Sequence, residues 1–342
     1  MHDAEPPSPH AAASAPPEAR RSTWRRALTI VAALALAAVL VPVVARLFGW
    51  EAGPLAFVVA LMPWVTLAGV VPILLALAAR SWVLLAASVA VTVLGVGWAV
   101  PMFSSQQALG GEALTVATIN LTFGGADANA VVRLVERNQV DVLAAQEVTP
   151  ESAEALSLAG LDDLLPYSQV AAEPGITGTA LWSSTPLTDA ESLDGFAGAK
   201  SIDGYASRAV RGDIKASGKS LTVLAVHPNA PGPITHAGWD ASMMHLTELL
   251  KAQSEPMLVL GDFNTTRDHQ VFRDIESLGF IDAADQAGAG FVPTFPEGRS
   301  AWPFVAIDHV LVGNIDLVAT SVSTATVPGA DHRMLLVTYS IS

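Results

Sequence analysis

The sequence predicts an α/β fold, two β-sheets packed as a sandwich and covered by helices, preceded by three transmembrane helices. Three observations carry this. The first 103 residues hold three long apolar stretches. After them, strand-like runs interleave with helix-like patterns. Six of the apolar runs each deliver an Asn, Asp, Glu or His at or near one end.

The apolar stretches span residues 28–48, 55–79 and 82–103. At a rise of ~1.5 Å per residue, each is long enough for a hydrocarbon core of ~30 Å. Arg20, Arg21, Arg25 and Arg26 precede the first, and Arg80 separates the second from the third; the intervening loop offers only Arg46 with Glu51. The positive-inside rule then puts the N-terminus in the cytoplasm and everything after residue 104 outside the cytoplasmic membrane. A cleaved signal peptide fits less well, because the first apolar region exceeds the ~7–15 residues usual for one and two more spans follow. Residues 1–26, rich in Pro, Ala and Ser at their start, read as a disordered cytoplasmic tail. Residues 27–103 form the membrane region, and the small, polar stretch 104–112 reads as a short linker.

The domain at 113–342 shows strand-like runs at 114–120, 140–146, 178–183, 207–215, 220–227, 257–262, 304–312 and 334–340. Helical patterns lie at 127–138, 150–159, 236–252 and 268–278. Thr149-Pro150-Glu151 opens the second with a capping residue, a proline at the first helical position and an acid in the first turn. The alternation from Arg208 to Ile214 predicts a half-exposed strand, and Met257 to Leu260, apolar throughout, a strand buried on both faces.

Composition limits the chemistry. The chain has no cysteine, so disulfides and thiol ligands are excluded, and a bound metal must be held by oxygen and imidazole. That donor set suits Mg2+, Mn2+ or Ca2+. The region after residue 104 carries 12 basic against 28 acidic residues, a balance that disfavours loose binding of polyanions.

The polar residues at the run ends are the candidate site. Asp262 and Asn264 lie two residues apart, where a strand points both to one side. Asn120, Glu147, His227, Asp308 and the adjacent Asp331 and His332 end or begin other runs. Alone, Gly-Asp-x-Asn is more often a strand-ending turn, and a single strand-end acid or histidine is usually a surface residue. An inward Asp308 on an apolar strand needs a partner, which His332 can supply. Trp182, Trp239 and Trp302 suit a substrate groove or plain packing equally well. His309 is expected to face away from Asp308's side of the strand.

In order, the motifs Thr118-Ile119-Asn120, Ala145-Gln146-Glu147, Val226-His227-Pro228-Asn229, Gly261-Asp262-Phe263-Asn264, Ile307-Asp308-His309 and Ala330-Asp331-His332 resemble those of the endonuclease/exonuclease/phosphatase superfamily of DNase I-like proteins. The resemblance implies a four-layer αββα sandwich of two mixed sheets and metal-dependent hydrolysis of a phosphoester or phosphoanhydride. It implies Glu147 and Asp331 at the metal, and Asn120, Arg208 and Asn229 as contacts to the substrate. His227, Asp262, Asn264, Asp308 and His332 take the catalytic roles, with Asp308 orienting His332 as general base or charge stabiliser. Relatives often have an acid two residues after the Asn120 position, where this chain has Thr122.

Three spans followed by this domain resemble the membrane-anchored bacterial vancomycin and teicoplanin resistance phosphatases. That branch implies a lipid-linked cell-envelope phosphate or pyrophosphate as substrate and the lipid bilayer as partner. An extracellular metal-dependent endonuclease, acting on nucleic acid, and a catalytically silent membrane receptor or binding module are the alternatives. Nothing in the sequence speaks to an oligomer.

Overall fold

The computed structural model describes residues 17–107, 110–193, 207–233, 236–298 and 302–341. The N-terminal apolar region comprises α1 (Pro17–Phe48), α2 (Pro54–Ala60), α3 (Met62–Ala68), α4 (Val70–Ala79) and α5 (Trp82–Ala99), closed by a 3-10 turn at Val100–Phe103. Within it, Thr23–Phe48, Met62–Ala79 and Trp82–Phe103 are long and apolar enough to cross a membrane. Residues 17–26 belong to α1, so the described part of the expected tail is helical. Glu, Ala and Arg there favour helix, and no proline interrupts before Pro42. Residues 1–16 of that tail lie outside the described residues.

The remaining chain forms two six-stranded mixed sheets. The first contains β1 (Glu112–Asn120), β2 (Val142–Gln146), β3 (Tyr167–Ala171), β4 (Thr179–Ser183), β11 (Leu317–Thr326) and β12 (Arg333–Ile341), in the order β11-β12-β1-β2-β4-β3. The second contains β5 (Thr188–Leu193), β6 (Ala209–Ala216), β7 (Lys219–Val226), β8 (Met257–Asp262), β9 (Ile281–Asp282) and β10 (Asp308–Gly313), in the order β5-β6-β7-β8-β10-β9.

Each sheet has one parallel pair at its centre, and a helix crosses over between its members. Helix α6 (Ala128–Arg137) joins β1 to β2, while α7 (Pro150–Leu158) and α8 (Leu161–Leu164) follow β2. Helix α9 (Ala237–Lys251) joins β7 to β8, followed by α10 (Gln270–Ser277) and α11 (Ala283–Ala287). The capping box at Thr149 forms as its sequence suggests, with Ser152 N–H donating to the Thr149 hydroxyl at 3.2 Å and Thr149 N–H to the Ser152 hydroxyl at 2.9 Å.

Three apolar layers hold the domain. Val116, Ala144, Leu181, Val223, Leu258, Leu260, Val310 and Val337 fill the space between the sheets. Val131, Val135, Leu156 and Leu161 seal α6, α7 and α8 onto the outer face of the first sheet. Trp239, Met243, Leu246, Phe272 and Ile275 seal α9 and α10 onto the second, and Ala56 of α2 enters this same cluster. The result is the four-layer αββα sandwich, with the apolar helices packed directly on one outer layer.

The linker does not hang free. Gly290 N–H donates to the Met102 carbonyl at 2.7 Å, and Gln106 N–H donates to the Gln286 carbonyl at 2.8 Å. The connection is thus laid along α11, which satisfies backbone groups that a solvated tether would leave to water.

Candidate active site

Sheet topology explains why the scattered polar residues meet. Asn120, Glu147, His227 and Asp262 sit at or just past the C-terminal ends of the parallel strands β1, β2, β7 and β8. Asp308 and His332 stand at the beginnings of the antiparallel strands β10 and β12. Both sets therefore open on one end of the sandwich. Asp308 pairs with Asp262 across the β8/β10 ladder, putting the two carboxylates side by side.

Asp262 is the centre of the arrangement. Asn120 Nδ2 donates to its Oδ2 at 3.0 Å and to Glu147 Oε1 at 3.1 Å, so one amide holds two carboxylates a few ångströms apart. The Nε2 atoms of His227 and His332 each lie 3.6 Å from the same Asp262 Oδ2. Asn264 N–H donates to Asp262 Oδ1 at 2.8 Å, and Asn264 Nδ2 donates to the Pro228 carbonyl at 3.0 Å.

His332 Nδ1 is 2.8 Å from Asp308 Oδ2, in the orientation expected of a ring held by a buried acid. Burial by itself would lower the pKa of His332, but Asp308 and Asp262 together outweigh it and push the value up to about 10. The two carboxylates thus favour the protonated ring, with Nδ1 on Asp308 and Nε2 toward the cleft. The Phe295 ring covers it at 4.8 Å between centroids.

Glu147, just after β2, and Asp331, just before β12, are both held by the loop after β1. Phe123 N–H donates to Glu147 Oε2 at 2.7 Å. The Thr122 hydroxyl donates to Asp331 Oδ1 at 2.5 Å and accepts from Asp331 N–H at 2.9 Å. Thr122 thus fills the position where relatives often have an acid, holding Asp331 instead of adding a ligand. Asp331 and His332 both face the cleft because the chain turns before them: Gly329 has φ +86°, and a Cβ there would lie 2.2 Å from the Gly125 carbonyl oxygen.

Backbone strain gathers at this point. Thr122, Phe123, Glu147 and Asn264 all have φ between 49° and 55°, a left-handed conformation costly for residues other than glycine. Strain of this kind concentrates where side chains must be aimed for function.

The cleft measures about 460 Å³. Glu147, Asp262 and Asp331 line it with His227, His332, Asn120, Asn229 and Asn264, and among the described lining residues none is Lys or Arg. A mouth with three carboxylates and no fixed cation of that kind repels phosphate unless a metal cation sits in it. The donors are oxygen and imidazole, which fits a hard divalent ion. A second, more compact group, Asp262, Asp308 and His332, brings one ligand atom from each within 4.8 Å of one another. The expected ligands Glu147 and Asp331 line the same cleft as Asp262 and His332, so the two groups adjoin.

Two sequence expectations land elsewhere or differently. Arg208 does not line the cleft; its guanidinium pairs with Glu173 at 2.7 Å, in the strand-flanking loops. Asn229 lines the cleft, yet its groups also brace α9, with N–H donating to the Ser242 hydroxyl at 3.1 Å and Nδ2 to the Gly238 carbonyl at 3.4 Å. His309 turns away as expected, with Nδ1 2.5 Å from Asp282 and Nε2 2.9 Å from the Thr265 carbonyl. Trp239 is buried at the cleft floor and Trp182 in the core, whereas Trp302 is exposed. Sequence reasoning missed Phe123, Ile176, Ser207 and Phe295, all cleft residues in loops without a motif.

Comparison with known proteins agrees with this geometry. The solved structure of an endonuclease/exonuclease/phosphatase family protein from Leptotrichia buccalis C-1013-b superposes with TM-score 0.53 at 16% identity, covering 67% of this chain and 100% of that one. An AP endonuclease from Archaeoglobus fulgidus gives TM-score 0.53 at 16% identity, over 66% of this chain and 98% of that one. D. rerio TDP2 complexed with a single-strand DNA product gives 0.53 at 13%, over 67% and 99%. At these identities the similarity is one of fold. No curated protein sequence matches the chain. The model of the Endonuclease/Exonuclease/phosphatase family matches residues 117–332, most of the domain and every motif residue of the cleft. By that match and by its fold, the chain belongs to the endonuclease/exonuclease/phosphatase family.

Proposed function

We propose that the protein is a membrane-anchored, divalent-metal-dependent phosphohydrolase whose cleft lies outside the cytoplasmic membrane and acts on a lipid-linked phosphoester or pyrophosphate. The observation that carries this reading is the joining of two features: a carboxylate-lined cleft without Lys or Arg among its described lining residues, and apolar helices docked directly against the domain that bears it. Glu147 and Asp331 would hold the cation, Mg2+ or its close substitutes Mn2+ and Ca2+, which when bound neutralises phosphate charge and makes water a better nucleophile.

The chain's own groups supply the rest. His332, steadied by Asp308, presents Nε2 to a phosphate oxygen and stabilises charge as it develops. Asp262, within 3.6 Å of both imidazoles, orients the attacking water and takes up its proton. His227 assists the leaving oxygen, and Asn120, Asn229 and Asn264 present amides to the phosphate. No serine or cysteine nucleophile takes part, so the reaction proceeds by direct displacement.

Membrane crossing draws support from the helices' ends. Trp24 and Trp82 are exposed near one end of the bundle, and Trp50 and Trp64 near the other, as in proteins whose tryptophans mark the two membrane interfaces. Arg25, Arg26 and Arg80 stand at the end away from the domain, a distribution that supports a cytoplasmic position for that end.

Hydrolysis of nucleic acid is the second reading, because the fold is shared with TDP2 bound to a DNA product and with an AP endonuclease. The excess of 28 acidic over 12 basic residues after residue 104 speaks against it. The deciding experiment uses the full-length protein in proteoliposomes with Mg2+. Phosphate release from a prenyl diphosphate without plasmid nicking supports the proposal; nicking without phosphate release overturns it in favour of a nuclease. If neither reaction occurs, the silent receptor takes its place.

A further inference from the structure

One segment of the catalytic domain reaches the level of the membrane helices' ends. The Trp64 indole, in the first turn of the second span, donates to the Phe304 carbonyl at 2.7 Å, and its ring meets Phe291 edge-on at 5.9 Å. Residues 291–298 and 302–304 thus stand beside the start of that span. On this segment Trp302 is 88% exposed and Phe304 39% exposed. An indole standing that far out of a protein in water forfeits its burial, whereas at a bilayer's headgroup level the ring is at home.

The same segment ends in the cleft. Phe304 N–H donates to the Phe295 carbonyl at 2.9 Å, and the Phe295 ring lies on His332. Two hydrogen bonds and one ring contact therefore connect Trp64 to the imidazole of the site. The opposite wall of the cleft also touches the membrane unit: a Cβ on Gly53, between the first and second spans, would lie 3.4 Å from the Pro233 carbonyl oxygen, in the loop that follows His227.

We propose that this segment is a bilayer anchor. Trp302 and Phe304 enter the headgroup layer next to Trp64 and hold the cleft against phosphates carried at the membrane surface by amphiphiles whose apolar tails stay in the bilayer. The inference rests on the reading that the three helices cross a membrane, and it specifies how the proposed substrate class reaches the site.

The absence of cysteine makes the test direct, since one introduced thiol gives one labelling site. Trp302→Cys and, as control, Leu158→Cys are labelled with an environment-sensitive fluorophore in full-length protein in phosphatidylcholine/phosphatidylglycerol vesicles. Leu158 is 81% exposed on α7, in the helical layer away from the membrane unit. The label at 302 is expected to be quenched by nitroxide-bearing lipid and shielded from aqueous iodide, and the label at 158 the reverse. Iodide quenching at 302 equal to that at 158, with no effect of the lipid nitroxide, overturns the anchor.

The variant Trp302→Ser with Phe304→Ser supplies a second readout. It is expected to slow turnover of a vesicle-borne phosphate by roughly tenfold and leave turnover of a small soluble phosphoester unchanged. Equal loss on both would assign the two rings a structural role and overturn the proposal. Failure of the unaltered protein to hydrolyse either substrate would count against the proposed activity alone, because the quenching result is independent of turnover.

Discussion

Arg46, in the last turn of α1, donates through Nε to Asp268 Oδ1 at 2.7 Å, six residues beyond Asp262. Both side chains are only 9% exposed, and the Arg46 guanidinium also lies 3.9 Å above the Trp98 ring. Neighbouring contacts repeat the theme. Glu51 accepts from Gln270 N–H, Arg273 donates to the Arg46 carbonyl at 2.9 Å, and His269 Nε2 lies 2.9 Å from the Ala56 carbonyl. The loop that follows β8 is therefore clamped by the apolar N-terminal helices, which form part of the candidate site's support.

Breaking that pair strands a buried charge. Arg46→Ala is expected to destabilise the full-length protein in detergent by about 3–5 kcal/mol, and Asp268→Ala similarly. The double variant is expected to lose clearly less than the two single losses added together. Thermal unfolding of the four proteins measures this; additive losses would deny that the two residues interact.

His269 makes the same junction sensitive to acid. Its Nδ1 accepts from Thr266 N–H at 2.9 Å, so only Nε2 carries a proton, which goes to the Ala56 carbonyl. Burial pushes its pKa down to about 4, whereas the unfolded ring titrates near ~6.5. The folded state binds fewer protons, so this contribution is fully present above pH ~6.5. It declines as pH falls toward 4, by about 3 kcal/mol in all. The melting temperature of His269→Gln is expected to depend less on pH between 6.5 and 4.5 than that of the unaltered protein.

Thr122 holds Asp331 by two hydrogen bonds and contributes no charge. Thr122→Val is expected to raise the metal concentration needed for half-maximal phosphate release by roughly 10–100-fold while leaving the fold intact. Activity measured against Mg2+ and Mn2+ concentration tests this, and an unchanged metal requirement would remove Asp331 from the ion's surroundings.

The Asp308–His332 pair is expected to act as a unit. Asp308→Asn and His332→Ala should each lower kcat by about 10²–10⁴, and the double variant should be little worse than either alone. Multiplying losses would mean that the two residues serve separate steps.

Much of this was legible before any coordinates, for a physical reason. Central strands bury both faces, so they appear as continuous apolar runs, and those of β1, β2, β7, β8, β10 and β12 each bring a polar residue to the cleft. The strands that escaped notice, β3, β5, β9 and β11, are the four sheet edges. They bury less: β3 and β5 have no fully buried residue and β11 is at most half-buried after Ala319, so they lack the long apolar run that marks a strand. Arg208 stood in a plausible place along β6, but its partner Glu173 lies 35 residues away, beyond the reach of local pattern. Phe295 and the Arg46–Asp268 clamp were equally hidden, because each acts through a tertiary contact that no spacing announces.

The proposed activity requires a divalent cation held by the carboxylates that Asn120 and Thr122 position. Its most direct test is a titration of the full-length protein with Mn2+, following the free ion by electron paramagnetic resonance, beside the same titration of Glu147→Gln. The expected result is saturable binding to the unaltered protein, weakened at least about tenfold by the substitution. Binding that is absent, or that Glu147→Gln leaves unchanged, would contradict the central claim.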